Sequence, residues 1–196
     1  MAQVIQAVRA AVRAANDGMW DRAYGIETAG KLYTPTAYRV LFKLFAAMEL
    51  LPDDRFVDFG CGKGRVMCLA ARYPVARVTG VELDPVAAEA ARRNLAALRG
   101  RKARGVSVTT GSAADFDCGG GTVFYFYNPF GGALFADVIG NVRRAAASAS
   151  LPVRIVYVNP VCREVLDGAD WLGPAEVLHH DHAGKPAALF YRARSR

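Results

Sequence analysis

From Arg55 onward, short apolar runs alternate with segments of helical period, and this alternation restricts the fold more than any other feature. FVDF, ARVTGVEL, GVSVTT, TVFYFYN and VRIVYV read as strands. RVMCLAARY, PVAAEAARRNLAALR, residues 133–149 and a short stretch near 161–168 read as helices. Near-continuous apolar strands separated by helices indicate a parallel sheet covered on both faces, because a parallel neighbour is reached only through a crossover. The last two apolar runs, AEVLHHDH and PAALFYRAR, depart from this rule. Ala183-Gly184-Lys185 is too short for a crossover, so they form an antiparallel hairpin. The expected fold is α/β, a doubly wound, mostly parallel sheet with a C-terminal antiparallel hairpin and an N-terminal helical extension.

Ahead of the sheet, Val4, Ile5, Val8, Ala11, Val12 and Ala15 fall on one face at helical spacing and predict an amphipathic helix over 2–15. Residues 16–35 lose that period and gain Gly18, Gly25, Gly30 and Pro35, which reads as a long loop of the kind that serves as a lid. Tyr24, Glu27 and Thr28 are its candidates for covering a ligand. Thr34-Pro35 then supplies an N-cap and a first-turn proline for a second helix that buries Tyr38, Leu41, Phe42, Phe45 and Met48. The chain divides into this element, residues 1–35, and a ligand-binding domain over 36–196. With 196 residues, 53% of them hydrophobic, it can bury the core of one packed domain. No apolar run is long enough to span a bilayer and no signal peptide is evident, so a cytoplasmic protein without membrane contact is expected.

The chemistry concentrates in VDFGCGKGRV, Val57 to Val66. A glycine-rich turn between a strand and a helix lets the backbone approach a ligand and offers unpaired amides. Gly60, Gly62 and Gly64 keep the G-x-G-x-G spacing, but Arg65 stands where a dinucleotide fingerprint wants glycine. Asp58, two residues before the first glycine, suits a positively charged ligand end better than a pyrophosphate. Glu82, in GVELDP, lies about twenty residues on, at the distance where a carboxylate takes ribose hydroxyls. Ser112, Ala113 and Asp115 follow at the third strand end and would flank an adenine.

These motifs, DFGCGKG, VELDP and GSAADF, with YNPF at the next strand end and a terminal hairpin, resemble the class I S-adenosylmethionine-dependent methyltransferases over residues 34–194. The resemblance implies a Rossmann-like methyltransferase fold and S-adenosyl-L-methionine as cofactor. It implies that the Gly60–Gly64 loop passes the methionine part, that Asp58 lies near the amino group and that Glu82 binds the ribose. Where the family often has an acidic residue this chain has Ser112, so the adenine contact falls to the Ala113 amide or to Asp115. YGIETAG and YTPTAY, followed by a helix and FVDFGCGKGRV, look like the Dot1-like protein-lysine methyltransferases. YNPF itself looks closer to the Asn-Pro-Pro-Tyr/Phe motif of enzymes that methylate planar or amide nitrogens, lacking its second proline.

The resulting expectation is methyl transfer to a nitrogen nucleophile, a protein lysine among them, with Asn128, Pro129 and Phe130 at the reacting end. Two strands end in Asn-Pro, at Asn128 and Asn159; the first, expected beside the strand of Asp58, is the candidate. Pro129 biases Asn128 toward an extended conformation, aiming its amide oxygen and a nearby carbonyl into the cleft. Alternatives are a small-molecule or nucleic-acid methyltransferase, a nicotinamide oxidoreductase and a non-catalytic adenosine-binding module. The net charge of +7 has its densest run at Arg92, Arg93, Arg99, Arg101, Lys102 and Arg104, which suits a solvated face or phosphate contacts. His179, His180 and His182 come with no Cys or carboxylate constellation, and Cys61, Cys68, Cys118 and Cys162 have no CxxC pairing. No metal is expected, and the cysteines are expected to be free thiols.

Overall fold

The computed structural model of the protein describes residues 14–26, 36–149 and 151–194. Strands β1 (Arg55–Phe59), β2 (Arg77–Glu82), β3 (Gly105–Thr110), β4 (Val123–Tyr127), β5 (Arg154–Val158), β6 (Glu176–His180) and β7 (Pro186–Arg192) form one sheet. Its order is β3-β2-β1-β4-β5-β7-β6. The first five strands are parallel and the last two pair antiparallel, as the short Ala183-Gly184-Lys185 connection requires. The order reverses at β1, where crossovers leave toward β2 on one side and β4 on the other, and a crevice opens outside the strand ends at such a switch point.

Helix α1 covers residues 14–24. It is followed by α2 (Tyr38–Met48), α3 (Arg65–Ala70), α4 (Pro85–Ala97), α5 (Gly132–Ala146) and α6 (Glu164–Asp167). Alternate strand residues divide the core into two layers. Phe56, Val78, Tyr125, Val156 and Phe190 pack with α1 to α4. Phe59, Phe124, Phe126, Tyr157 and Leu189 pack with α5 and α6. Tyr24 and Ile26 belong to the first of these layers, so the described part of 1–35 shares its core with the sheet.

Residues 16–24 are helix where their glycine and lost period predict a loop. A helical glycine costs about 1 kcal/mol, and tertiary contacts outweigh it here. The Trp20 ring meets Phe42 edge-on at 4.9 Å, Tyr24 meets Tyr38 edge-on at 5.7 Å, and Asp17 and Asp21 both pair with Arg65. Helix α2 begins at Tyr38 with Ala37 at its N-cap and no side-chain cap of its own. Asp17 Oδ1 accepts the Tyr38 N–H at 3.1 Å instead, so a neighbouring helix supplies the missing acceptor. Of the helix expected over 2–15, residues 2–13 lie outside the described residues, as does the Thr34-Pro35 start.

Candidate functional site

The turn after β1 is held in place by its own backbone. Gly60 and Cys61 both donate N–H to the Val81 carbonyl, at 2.8 and 3.1 Å, and Gly64 N–H closes on the Cys61 carbonyl at 2.8 Å. Gly60, Gly62 and Gly64 have φ of 70°, 53° and 82°, a left-handed conformation that side chains resist. At Gly60 a second constraint applies, because a Cβ there would lie 2.8 Å from Pro129 Cβ. The first glycine of the loop therefore lets the Asn-Pro turn of β4 press against it.

Glu82 completes this loop. Its Oε2 accepts the Gly62 N–H at 2.7 Å and its Oε1 the Asp84 N–H at 3.0 Å, leaving each oxygen a further lone pair. The Glu82 carbonyl accepts Gly111 N–H at 2.9 Å, which brings the turn after β3 alongside. In that turn Ser112 Oγ caps a short 3-10 helix, Ala113–Asp115, by accepting Ala114 N–H, and Asn141 of α5 holds the Ala114 carbonyl. Ser112 thus serves the turn with its hydroxyl, and Ala113 is buried in the layer of α5.

Asp58 is the anomaly of the site. It is 2% exposed, lies opposite Gly80 and Tyr125 in the sheet, and its Oδ2 has no hydrogen-bond partner among the described residues. Burial, and then the charge of Glu82, push its pKa up to about 8. An orphaned carboxylate oxygen beside a glycine loop is a place waiting for a cation or a donor. The cofactor implied by the sequence motifs carries an α-ammonium, so the residues present fit it.

Arg65, at the fingerprint position where glycine was absent, is 3% exposed and ion-paired to Asp17 Oδ2 at 2.8 Å and Asp21 Oδ2 at 2.9 Å. Its guanidinium lies 4.8 Å from the Tyr38 ring centre, and the Tyr38 hydroxyl donates to Asp21. This cluster joins α1 and α2 to the end of the glycine loop. The sequence held one local sign of it, since Asp17 and Asp21 are spaced to share a helix face.

Strand β4 lies beside β1, and β5 one place further, so Asn128 and not Asn159 adjoins the glycine loop. The backbone at Asn128 is not extended, as Pro129 led us to expect. Its φ is 35°, in the left-handed region that asparagine tolerates, and this is what ends the strand. The Tyr157 hydroxyl approaches Asn128 Oδ1 at 3.4 Å and accepts Cys162 N–H at 3.2 Å. One lobe of the Asn128 oxygen therefore faces β5. Phe130 packs edge-on against Phe126 and leaves part of its surface open.

Tyr24 does not join the site. It is buried against Trp20 and Tyr38, its ring lies 4.4 Å from the Arg72 guanidinium, and its carbonyl accepts Arg99 N–H. Arg72 and Arg99 follow the C-termini of α3 and α4, at the opposite end of the sheet from the glycine loop. Glu27 and Thr28 lie outside the described residues. Among the described residues no cluster of three or more His, Cys, Asp or Glu has the arrangement of a metal site.

Comparison with known proteins bears on the fold. Residues 56–147 match the methyltransferase domain family. The chain carries the class I methyltransferase fold. A ribosomal protein L11 methyltransferase of Burkholderia mallei is 46% identical over 43 residues, 22% of this chain and 14% of that protein. A tRNA1(Val) (adenine(37)-N6)-methyltransferase of Porphyromonas gingivalis is 55% identical over 42 residues, 21% of this chain and 16% of that protein. The chain thus spans less than a fifth of the length of these curated relatives. Among solved structures, an RNA methyltransferase from Salinibacter ruber, in complex with S-adenosyl-L-homocysteine, superposes with a TM-score of 0.57 at 22% identity, covering 82% of this chain and 92% of that one. A precorrin 8W decarboxylase from Methanobacterium thermoautotrophicum superposes with 0.62 at 17% identity, over 87% and 97%. At such identities the likeness is one of fold, and the methyltransferase fold here is that of a sheet with its switch point at Asp58.

Proposed function

We propose that this protein is an S-adenosylmethionine-dependent methyltransferase acting on a nitrogen nucleophile. The observation that carries the reading is the buried Asp58 Oδ2, without a hydrogen-bond partner among the described residues and adjoining three left-handed glycines. S-adenosylmethionine, when bound, supplies a methyl group made electrophilic by its sulfonium. The chain's own residues bind and orient. Asp58 meets the α-ammonium, the Gly60–Gly64 backbone lies along the methionine portion, Glu82 takes ribose hydroxyls with its remaining lone pairs, and the Ser112–Asp115 turn borders the adenine. Asn128, Pro129 and Phe130 form the acceptor side, where an amide or carbonyl oxygen holds an amino group by its hydrogens and favours the positive charge that grows on nitrogen. One relative is named for a ribosomal protein and another for adenine N6, and a nitrogen acceptor is compatible with both.

A nicotinamide oxidoreductase is disfavoured by Arg65, whose buried ion pairs fill the place of the third fingerprint glycine. Calorimetry with S-adenosylhomocysteine and with NAD tests the reading. Binding of the first and not the second is expected, with Glu82→Ala weakening it at least about tenfold, since charge-assisted hydrogen bonds are worth roughly 1.5–3 kcal/mol. Tritium-methyl transfer to an acceptor in host lysate completes the test. Binding of NAD alone, or cofactor binding with no labelled acceptor, would overturn it.

A further inference from the structure

At the strand C-terminal end, Glu82, Asp84 and Asp115 lie over β2 and β3, the cofactor half, together with Arg92, whose guanidinium reaches Thr110 Oγ1 at 2.6 Å. On the other flank, α2 packs against the edge strand β6. Its Arg39 and Lys43, four residues apart, point outward, and neither forms an ion pair among the described residues. Next to them are His179, His180 and His182, and Lys185 is exposed in the hairpin turn. The one carboxylate of that turn, Asp181, accepts the backbone N–H of Ala183 and Lys185, both at 2.8 Å.

This cluster sits at the reacting end. Val158 pairs with Ala188, and Asn159 N–H reaches the Ala187 carbonyl, so the 181–185 turn projects beyond the C-terminus of β5. The N-terminus of α2 is at the same end, since its other end, at Met48, meets Arg154 where β5 begins. From β4 to β6 is three strand spacings, roughly 15 Å, so the cluster lies a few monomer lengths from Asn128. The denser cationic run of the sequence is placed otherwise. Arg92 and Arg93 pair with Glu89, Arg104 with Asp53, and Arg99 to Arg104 follow α4 at the far end of the sheet.

We propose that α2 and the β6–β7 hairpin dock the phosphate backbone of a nucleic-acid acceptor, leading its base amine to Asn128. Exposed cations beside the acceptor turn attract a polyanion, and the edge of β6, which pairs with no further strand among the described residues, adds backbone N–H donors of the kind that bind phosphates. A lysine-bearing segment of a basic protein meets like charge on this flank and is disfavoured. The inference rests on the methyl-transfer reading for what happens at Asn128, but docking is measurable without turnover.

The test is fluorescence anisotropy with a labelled single-stranded 20-nucleotide RNA of mixed sequence, titrated at several salt concentrations. The triple variant Arg39→Glu, Lys43→Glu, Lys185→Glu should bind about tenfold or more weakly at ~0.1 M salt and lower the log–log salt slope by about 2. Arg101→Glu with Lys102→Glu, at the far end, should bind as the wild type does. S-adenosylhomocysteine affinity, measured on the same samples, should stay unchanged in both variants; its absence in the wild type would undo the methyl-transfer reading and not the docking surface. Equal RNA binding by the triple variant, loss confined to the Arg101/Lys102 variant, or no RNA binding by the wild type would overturn the proposal.

Discussion

At the scale of single residues, Asp58 and Asn128 carry most of what is testable. A carboxyl whose pKa rises to about 8 on folding binds its proton more tightly in the folded than in the unfolded chain. Without ligand, its contribution to stability is therefore full below the ordinary carboxylate range and is lost as pH rises from about 4 to about 8. An ammonium bound beside it reverses the preference and expels the proton. Calorimetric enthalpies of S-adenosylhomocysteine binding near pH 7 should thus depend on the buffer's ionisation enthalpy, with affinity rising between pH 6 and 8; Asp58→Asn should abolish both effects. Buffer-independent enthalpies would remove Asp58 from the cofactor site. For Asn128 the comparison is internal, because Asn159 also has positive φ before a proline, but on the next strand. Asn128→Ala should lower turnover roughly 10²-fold with cofactor affinity kept, while Asn159→Ala spares turnover. Equal rates for wild type and Asn128→Ala would leave the Asn-Pro turn as a packing device against Gly60.

At the scale of elements, what was legible in the sequence was what the backbone itself demands. FVDFGCGKG predicts a strand, a glycine turn and a helix because apolar alternation and left-handed glycines are local properties, and the structure has them where expected. Helix α1 beyond residue 15 was illegible for the opposite reason: Gly18 is a local sign, whereas the Arg65 pairs that hold Asp17 and Asp21 span 48 and 44 residues of sequence. The left-handed Asn128 escaped similarly, since the proline after it is local and the packing of Pro129 on Gly60 is not. Arg65→Met should release α1, because it removes the guanidinium that pairs with both Asp17 and Asp21 in a buried cleft, at a cost of about 3–5 kcal/mol. Hydrogen exchange over 14–24 is expected to accelerate at least about tenfold while β5 stays protected. Unchanged protection of α1 would mean that its aromatic contacts suffice.

At the scale of the whole molecule, the residues proposed to bind the cofactor and acceptor lie at the opposite end of the sheet from a buried ionic clasp. Asp58, Glu82 and Asn128 gather at the strand C-termini, where loops are free to meet a ligand. The other end is closed by a buried clasp in which Arg154 pairs with Asp54, donates to the Met48 carbonyl at 2.7 Å and to the Glu49 carbonyl at 3.1 Å, and so ties β5 to α2 and to the entry of β1. Thr122, leading into β4, donates to Asp54 Oδ1 and accepts Arg55 N–H. Each of these contacts joins residues at least 67 positions apart in sequence, which is why the alternating pattern predicted the sheet without predicting what locks it. Arg154→Met removes the one cation that pairs with Asp54 among the described residues, and a buried carboxylate left without its counter-charge costs about 3–5 kcal/mol. For a chain of this size the midpoint of thermal unfolding should fall on the order of 10 °C. Adding Asp54→Asn to that variant removes the stranded charge and should recover part of the loss. Binding of S-adenosylhomocysteine at low temperature should be the same in all three proteins, because the clasp lies a full strand length from Asp58. A cofactor affinity that fell in step with the unfolding midpoint would show the two ends to be coupled, and this division of the sheet would then be wrong.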